Sequence, residues 1–112
     1  NFINNCNEAI SIIKSINTNR LNLHIDLKSS MAEKEDFDFI FKYYFDYIKH
    51  IHISDDKLEA PSKKSKYHES FSNILKKYNY KGCVSIEMKE IYPWSNKKLS
   101  KILNFVKKTY LI

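Results

Sequence analysis

A chain of 112 residues with 43% hydrophobic side chains is the size of one ordinary domain and has enough apolar surface to build a core. A single glycine, Gly82, and two prolines, Pro61 and Pro93, exclude collagen-like and linker-like chains and the glycine-rich phosphate loops of Walker or dinucleotide type. The net charge of +6 comes almost wholly from lysine, with Arg20 the one arginine, and nucleic-acid readers favour arginine for bidentate contacts. The charge therefore describes a lysine-rich solvated surface better than a nucleic-acid partner. Cys6 and Cys83 lie far apart with no Cys-x-x-Cys or Cys/His ligand spacing, which predicts free thiols in a reducing, cytoplasmic setting. No apolar run nears the roughly 20 residues of a membrane span, and no signal-peptide pattern opens the chain. Because residue 1 is not Met, it is not expected to be a natural start.

In chain order, Ala9, Ile12, Ile13 and Ile16 follow helical spacing and predict a helix over about 5–16. Asn17-Thr18-Asn19 breaks it. Residues 21–27, Leu-Asn-Leu-His-Ile-Asp-Leu, alternate with period two and read as a strand. Phe37, Ile40, Phe41, Tyr44 and Ile48 restore the helical stripe, with Glu35 and Asp36 at its positive end. Lys49–Ser54 is a second strand, and 55–65, with Pro61 and several Lys and Ser, is a loop. Phe71, Ile74, Leu75 and Tyr78 mark a third helix, and 83–88 a third strand in which Cys83 is expected to be buried. Ser95 is placed to cap a last helix carrying Leu99, Ile102, Leu103, Val106 and Tyr110. The order α-β-α-β-α-β-α implies three parallel strands joined by right-handed crossovers. These strands and helices are apolar enough to require more sheet than three strands supply. The chain therefore reads as a minimal three-layer α/β domain or as part of a larger barrel.

The segment His50-Ile51-His52-Ile53-Ser54-Asp55 carries the most chemical information. Alternation turns His50, His52 and Ser54 to one face and Ile51 and Ile53 to the other. In parallel α/β folds functional groups gather at the carboxyl ends of strands. The three predicted strands end on Asp26, on His52 followed by Ser54 and Asp55, and on Glu87. Two carboxylates and an imidazole on one rim suit a divalent cation such as Mn²⁺, Mg²⁺, Co²⁺ or Zn²⁺. Taken singly, Asp26 also suits a cap for the segment after it, and Glu87 a pairing with Lys89.

His-Ile-Asp at 24–26, His-Ile-His-Ile-Ser-Asp at 50–55 and Tyr80-Lys-Gly-Cys-Val-Ser-Ile-Glu87 together resemble the last three strands of the xylose isomerase-like barrels. That superfamily holds sugar-phosphate isomerases and epimerases, inosose dehydratases and endonuclease IV-type enzymes. The resemblance implies that residues 1–112 form a single partial domain, the C-terminal part of a (β/α)8 TIM barrel comprising strands six to eight, with three parallel strands alternating with four helices. It implies metal ligation by Asp26, His52 and Glu87, with Glu87 also the general acid/base that moves a proton beside a carbonyl. Ser54 or Asp55 would touch substrate or orient His52. His68 would bind metal or substrate depending on the branch, or serve only as a helix-start histidine. His24 and His50, one layer deeper, are expected to be packed, hydrogen-bonded barrel histidines. The implied partners are a divalent metal and a sugar or sugar phosphate, without nucleic acid or membrane and with homo-oligomerisation left open. Ser29 stands where many members have a histidine, and the Gly-Glu-Gly common after the seventh strand is absent. These departures argue against the alternative of an endonuclease IV-like three-metal DNA repair site. A non-catalytic α/β interaction module is the remaining alternative. In each enzyme reading the chain is incomplete by itself.

Overall fold

The computed structural model describes residues 2–111. Among the described residues, four of the five α-helices start on a polar side chain that caps them, α4 (Tyr67–Lys77) being the exception. Asn5 accepts from the Glu8 N–H and opens α1 (Cys6–Ile16), which ends where Asn17 takes the left-handed conformation (φ 51°) that asparagine tolerates. β1 (Leu23–Asp26) is shorter than the alternation over 21–27 predicts, because Asp26 caps a helix not foreseen in the pattern, α2 (Leu27–Ala32). Leu27 is fully buried as its first residue. Asp36 accepts from the Phe39 N–H and starts α3 (Phe37–Tyr44). A 3-10 turn over Phe45–Tyr47 closes that helix, so Ile48 passes from the helical stripe to β2 (Ile48–Ile53). α4 (Tyr67–Lys77), β3 (Cys83–Ile86) and α5 (Asn96–Tyr110) follow, the last capped by Ser95 as its sequence predicts. The described residues thus hold five α-helices rather than four, around three strands.

The sheet has the order β1-β2-β3 with both pairings parallel. Leu23 pairs with Ile48, but His24 pairs with His50, so β2 carries one extra residue, Lys49, against β1. The bulge explains a break in the alternation: Lys49 is exposed and Ile48 is buried opposite Leu23. Beyond it the register is regular. Ile25, Ile51 and Val84 align on one face, and His24, His50 and Cys83 on the other. The apolar face belongs to a single core that contains Ile25, Ile51 and Ile53 from the sheet and Ile10, Phe41, Phe71 and Leu75 from the helices. The opposite face is left open by this chain. Cys83 is accordingly exposed, against the expectation of burial, because the register puts it on the open side.

Gly82 has a packing reason. Tyr80 is buried, with its ring edge-on to Phe41 (6.0 Å) and Phe45 (6.4 Å), and folds back across the glycine. A Cβ at residue 82 would lie 2.1 Å from the Tyr80 hydroxyl and 2.4 Å from its Cζ. The aromatic-x-Gly pattern ahead of β3 is therefore a ring laid where a side chain at residue 82 would stand. Gly82→Ala is expected to displace Tyr80 from its aromatic neighbours and cost about 1–3 kcal/mol, as overpacking does. Urea unfolding of the two proteins measures this, and an unchanged midpoint would refute the packing account.

Candidate functional site

The open face and its carboxyl edge carry the polar residues in layers set by register. His24, His50 and Cys83 form the deeper layer, and Asp26, His52 and Ser85 the next. Glu87 follows two residues after Ser85, and its N–H donates to the Ile53 carbonyl at 3.0 Å, which continues the β2–β3 pairing to the rim. His52 Nδ1 lies 3.6 Å from Glu87 Oε2, with both side chains partly exposed. Asp26, opposite His52, has Oδ1 on the Ser29 N–H at 3.0 Å and Oδ2 3.6 Å from Lys28 Nζ. It caps α2 while standing on the rim. Glu87 does not pair with Lys89, whose ammonium meets Glu59 instead. Among the described residues, no three His, Cys, Asp or Glu side chains gather closely enough to hold a metal ion. The structure thus brings His52 and Glu87 together and places Asp26 alongside in register.

The three histidines of the open face touch one another. The His24 and His52 rings are 4.0 Å apart in an edge contact, and His50 and His52 are 4.9 Å apart. His50 is half-buried and hydrogen-bonded to Ser85 Oγ at 2.8 Å, whereas His24 is exposed with imidazoles as its ring neighbours. Partial desolvation and the nearby His52 and His50 hold the His24 pKa below the ordinary imidazole value, outweighing Asp26 and Glu87. The face thus favours a neutral His24.

Ser54, Asp55 and His68 stand elsewhere. Asp55, buried, accepts from Ser62 Oγ at 2.7 Å and contacts His68 Nε2 at 2.7 Å, so its partners are not His52. His68, 1% exposed, meets the Tyr110 hydroxyl through Nδ1 at 2.6 Å. Burial holds the Tyr110 proton far above the ordinary phenolic range, so its O–H donates to Nδ1 and leaves Nε2–H to donate to Asp55. Ser54 is buried, and its carbonyl accepts from the Tyr67 hydroxyl at 2.9 Å. Tyr67, Ser85 and Tyr110 were not distinguished in the sequence. Ser85 shares the alternation of Glu87 and was open to detection, whereas Tyr110 reads only as the end of an apolar helical stripe. A cavity of about 500 Å³ beside His68 lies on the outer helix layer, lined by Lys66, Ser72, Phe105 and Lys108 among others. The rim itself is an open surface.

A family model for the xylose isomerase-like TIM barrel matches residues 1–109. No curated protein matches the sequence. Among solved structures, 3-keto-D-glucoside 4-epimerase YcjR from E. coli superimposes with a TM-score of 0.83 at 18% identity, over 96% of this chain and 41% of that one. D-allulose 3-epimerase from Methylomonas sp., in complex with D-allulose, gives 0.81 at 20% identity, over 98% and 44%. D-psicose 3-epimerase from Clostridium cellulolyticum H10, with D-tagatose, gives 0.79 at 15% identity, over 96% and 44%. The likeness at these identities is one of fold, part of a TIM barrel, and the chain spans less than half the length of each. No helix among the described residues is long and apolar enough to cross a membrane.

His68 generates a pH prediction. Burial lowers its pKa below the ordinary 6.5 despite Asp55, so the folded state binds its proton less readily than the unfolded state. Its contribution to stability is present above about pH 6.5 and is lost as the pH falls toward the folded value. Thermal unfolding midpoints should fall between about pH 7 and about pH 5, and fall less steeply in His68→Gln, which has no proton to take up there. An identical slope in the two proteins would remove His68 from the acid response.

Proposed function

The chain belongs to the xylose isomerase-like TIM barrel family, and on that premise we propose that it supplies part of a metal-dependent sugar or sugar-phosphate isomerase or epimerase. Residues 1–112 would be a single partial domain corresponding to strands six to eight, with the remaining strands contributed from outside this chain. One observation carries the reading: parallel register aligns Asp26, His52 and Glu87 along one carboxyl edge, on the face that this chain leaves open. The solved epimerases that share the fold, one of them holding D-allulose, support a sugar as the substrate class.

The donor chemistry fits a divalent cation such as Mn²⁺ or Co²⁺, being one imidazole and two carboxylates. His52 and Glu87 would hold it with Asp26, and with further ligands from the missing part of the barrel. A bound cation supplies the positive charge that polarises a substrate carbonyl and stabilises the enediolate formed on deprotonation. The proton itself is assigned to Glu87. Its partly exposed carboxylate would take a proton from the carbon beside the carbonyl and, in an isomerase, return it on the same face to the neighbouring carbon; in an epimerase a second acid from outside this chain would deliver a proton to the opposite face. Asp26, fixed by the Ser29 N–H, is preorganised by its own cap. Ser54 and Asp55 are assigned to support His52, both being buried, with the Asp55 carboxylate held by Ser62 and His68.

Titration with Mn²⁺ or Co²⁺ should reveal weak one-to-one binding and no isomerase turnover by this chain alone. His52→Ala should weaken that binding at least about tenfold, about 1.4 kcal/mol. Undiminished binding after the substitution would contradict the assignment.

A further inference from the structure

A buried polar relay lies behind the rim, and the chemistry assigned to the rim does not use it. Tyr110 at the end of α5 donates to His68 near the start of α4, His68 donates to Asp55, and Ser62 donates to the other Asp55 oxygen. A parallel tie runs from the Tyr67 hydroxyl to the Ser54 carbonyl. Asp55 is three residues beyond His52, and its own N–H donates to the Glu59 carbonyl at 2.9 Å. On the other side, the Ile53 carbonyl receives the Glu87 N–H. Residues Ile53 to Asp55, directly after His52, are therefore gripped between β3 and two helices, and the grip includes the backbone N–H of Glu87.

We propose that His68 is a positioning residue for His52: through Asp55 it sets the height and angle at which the end of β2 presents the His52 imidazole to Glu87. The proposal rests on the reading above of His52 as a site residue and adds what holds it in place. Apolar packing alone explains the position less well. A buried histidine with both ring nitrogens engaged, at 2.6 and 2.7 Å, fixes two directions at once, which an apolar side chain of similar size does not. An error of an ångström at Asp55 is passed along three residues of extended chain to His52. The relay closes only when the end of α5 is docked, because Tyr110 is its outer member. The last helix is thereby linked to the rim without touching it.

The test uses nuclear magnetic resonance of the imidazole rings in this chain, with Mn²⁺ alone as the probe. Two readouts are followed: the Mn²⁺ concentration that broadens the His52 ring signals, and the cross-relaxation between the His24 and His52 rings, which lie 4.0 Å apart. In His68→Phe, the required Mn²⁺ concentration should rise about tenfold, as when the support of a metal ligand is removed. The His24–His52 signal should weaken with it. His68→Gln, whose amide is able to donate to Asp55, should recover part of both, and Tyr110→Phe, which deletes only a hydroxyl, keeps the test open if His68→Phe does not fold. Leu75→Ala, a fully buried change in α4 outside the relay, controls for stability alone and should leave both readouts where they were. Equal broadening and equal cross-relaxation in parent and relay variants would overturn the positioning role while leaving the metal reading intact. The same loss in Leu75→Ala would also overturn it. If Mn²⁺ does not broaden His52 even in the parent, the metal reading fails, and the cross-relaxation alone decides: weakening in the relay variants supports the proposal, and retention overturns it.

Discussion

β2 is the strand on which the rest depends, because it alone pairs on both edges and its register against β1 and β3 assigns every side chain to a face. The extra residue Lys49 matters most. Were the register continuous back from His24–His50, Leu23 would face Lys49, and Ile48 would be carried to the polar side, since a one-residue slip exchanges the faces of a strand. With the bulge, Leu23 and Ile48 close the core below, and His24, His50 and His52 line up above it. The apolar core and the polar rim are thus two outcomes of one pairing.

The two faces answer to different demands. Ile25, Ile51 and Ile53 are sealed by helices, and that side holds the fold together through the burial of Phe41, Phe71 and Leu75. The other side exposes imidazoles and carboxylates that gain nothing from this core. A parallel sheet is ordinarily covered on both faces, and one covered on a single face by its own chain, with ligand-type residues on the other, has the form of a wall section of a barrel. The family match and the superposition on less than half of each epimerase chain agree with that geometry. The buried Asp55–His68–Tyr110 relay joins the two sides, being anchored among helices and ending at the strand that bears His52.

Much of this was legible in the residues. Period-two alternation locates all three strands, and the placement of Asp26, His52 and Glu87 at strand ends follows from the sequence, because a strand's facing is a matter of counting. The helix Leu27–Ala32 was not legible, since Leu27 continues the strand pattern and only the reach of Asp26 to Ser29 signals a cap. Nor was the bulge, which shows only when two strands are laid side by side. The burial of Asp55 and His68 escaped for a related reason. A hydrogen bond between residues 13 apart, completed by a tyrosine 42 further on, leaves no periodic trace. Local patterns report facing and capping; they do not report which buried groups find one another.

The central claim is that the histidine face of this sheet is the open, reactive one and the helix-covered side is closed. Histidine-directed acylation with diethyl pyrocarbonate, followed by mass spectrometry of each site, tests it directly. His24 and His52 should be modified first, His68 last, and added Mn²⁺ should slow modification at His52. Modification of His68 as fast as His24, or no protection of His52 by Mn²⁺, would contradict the account.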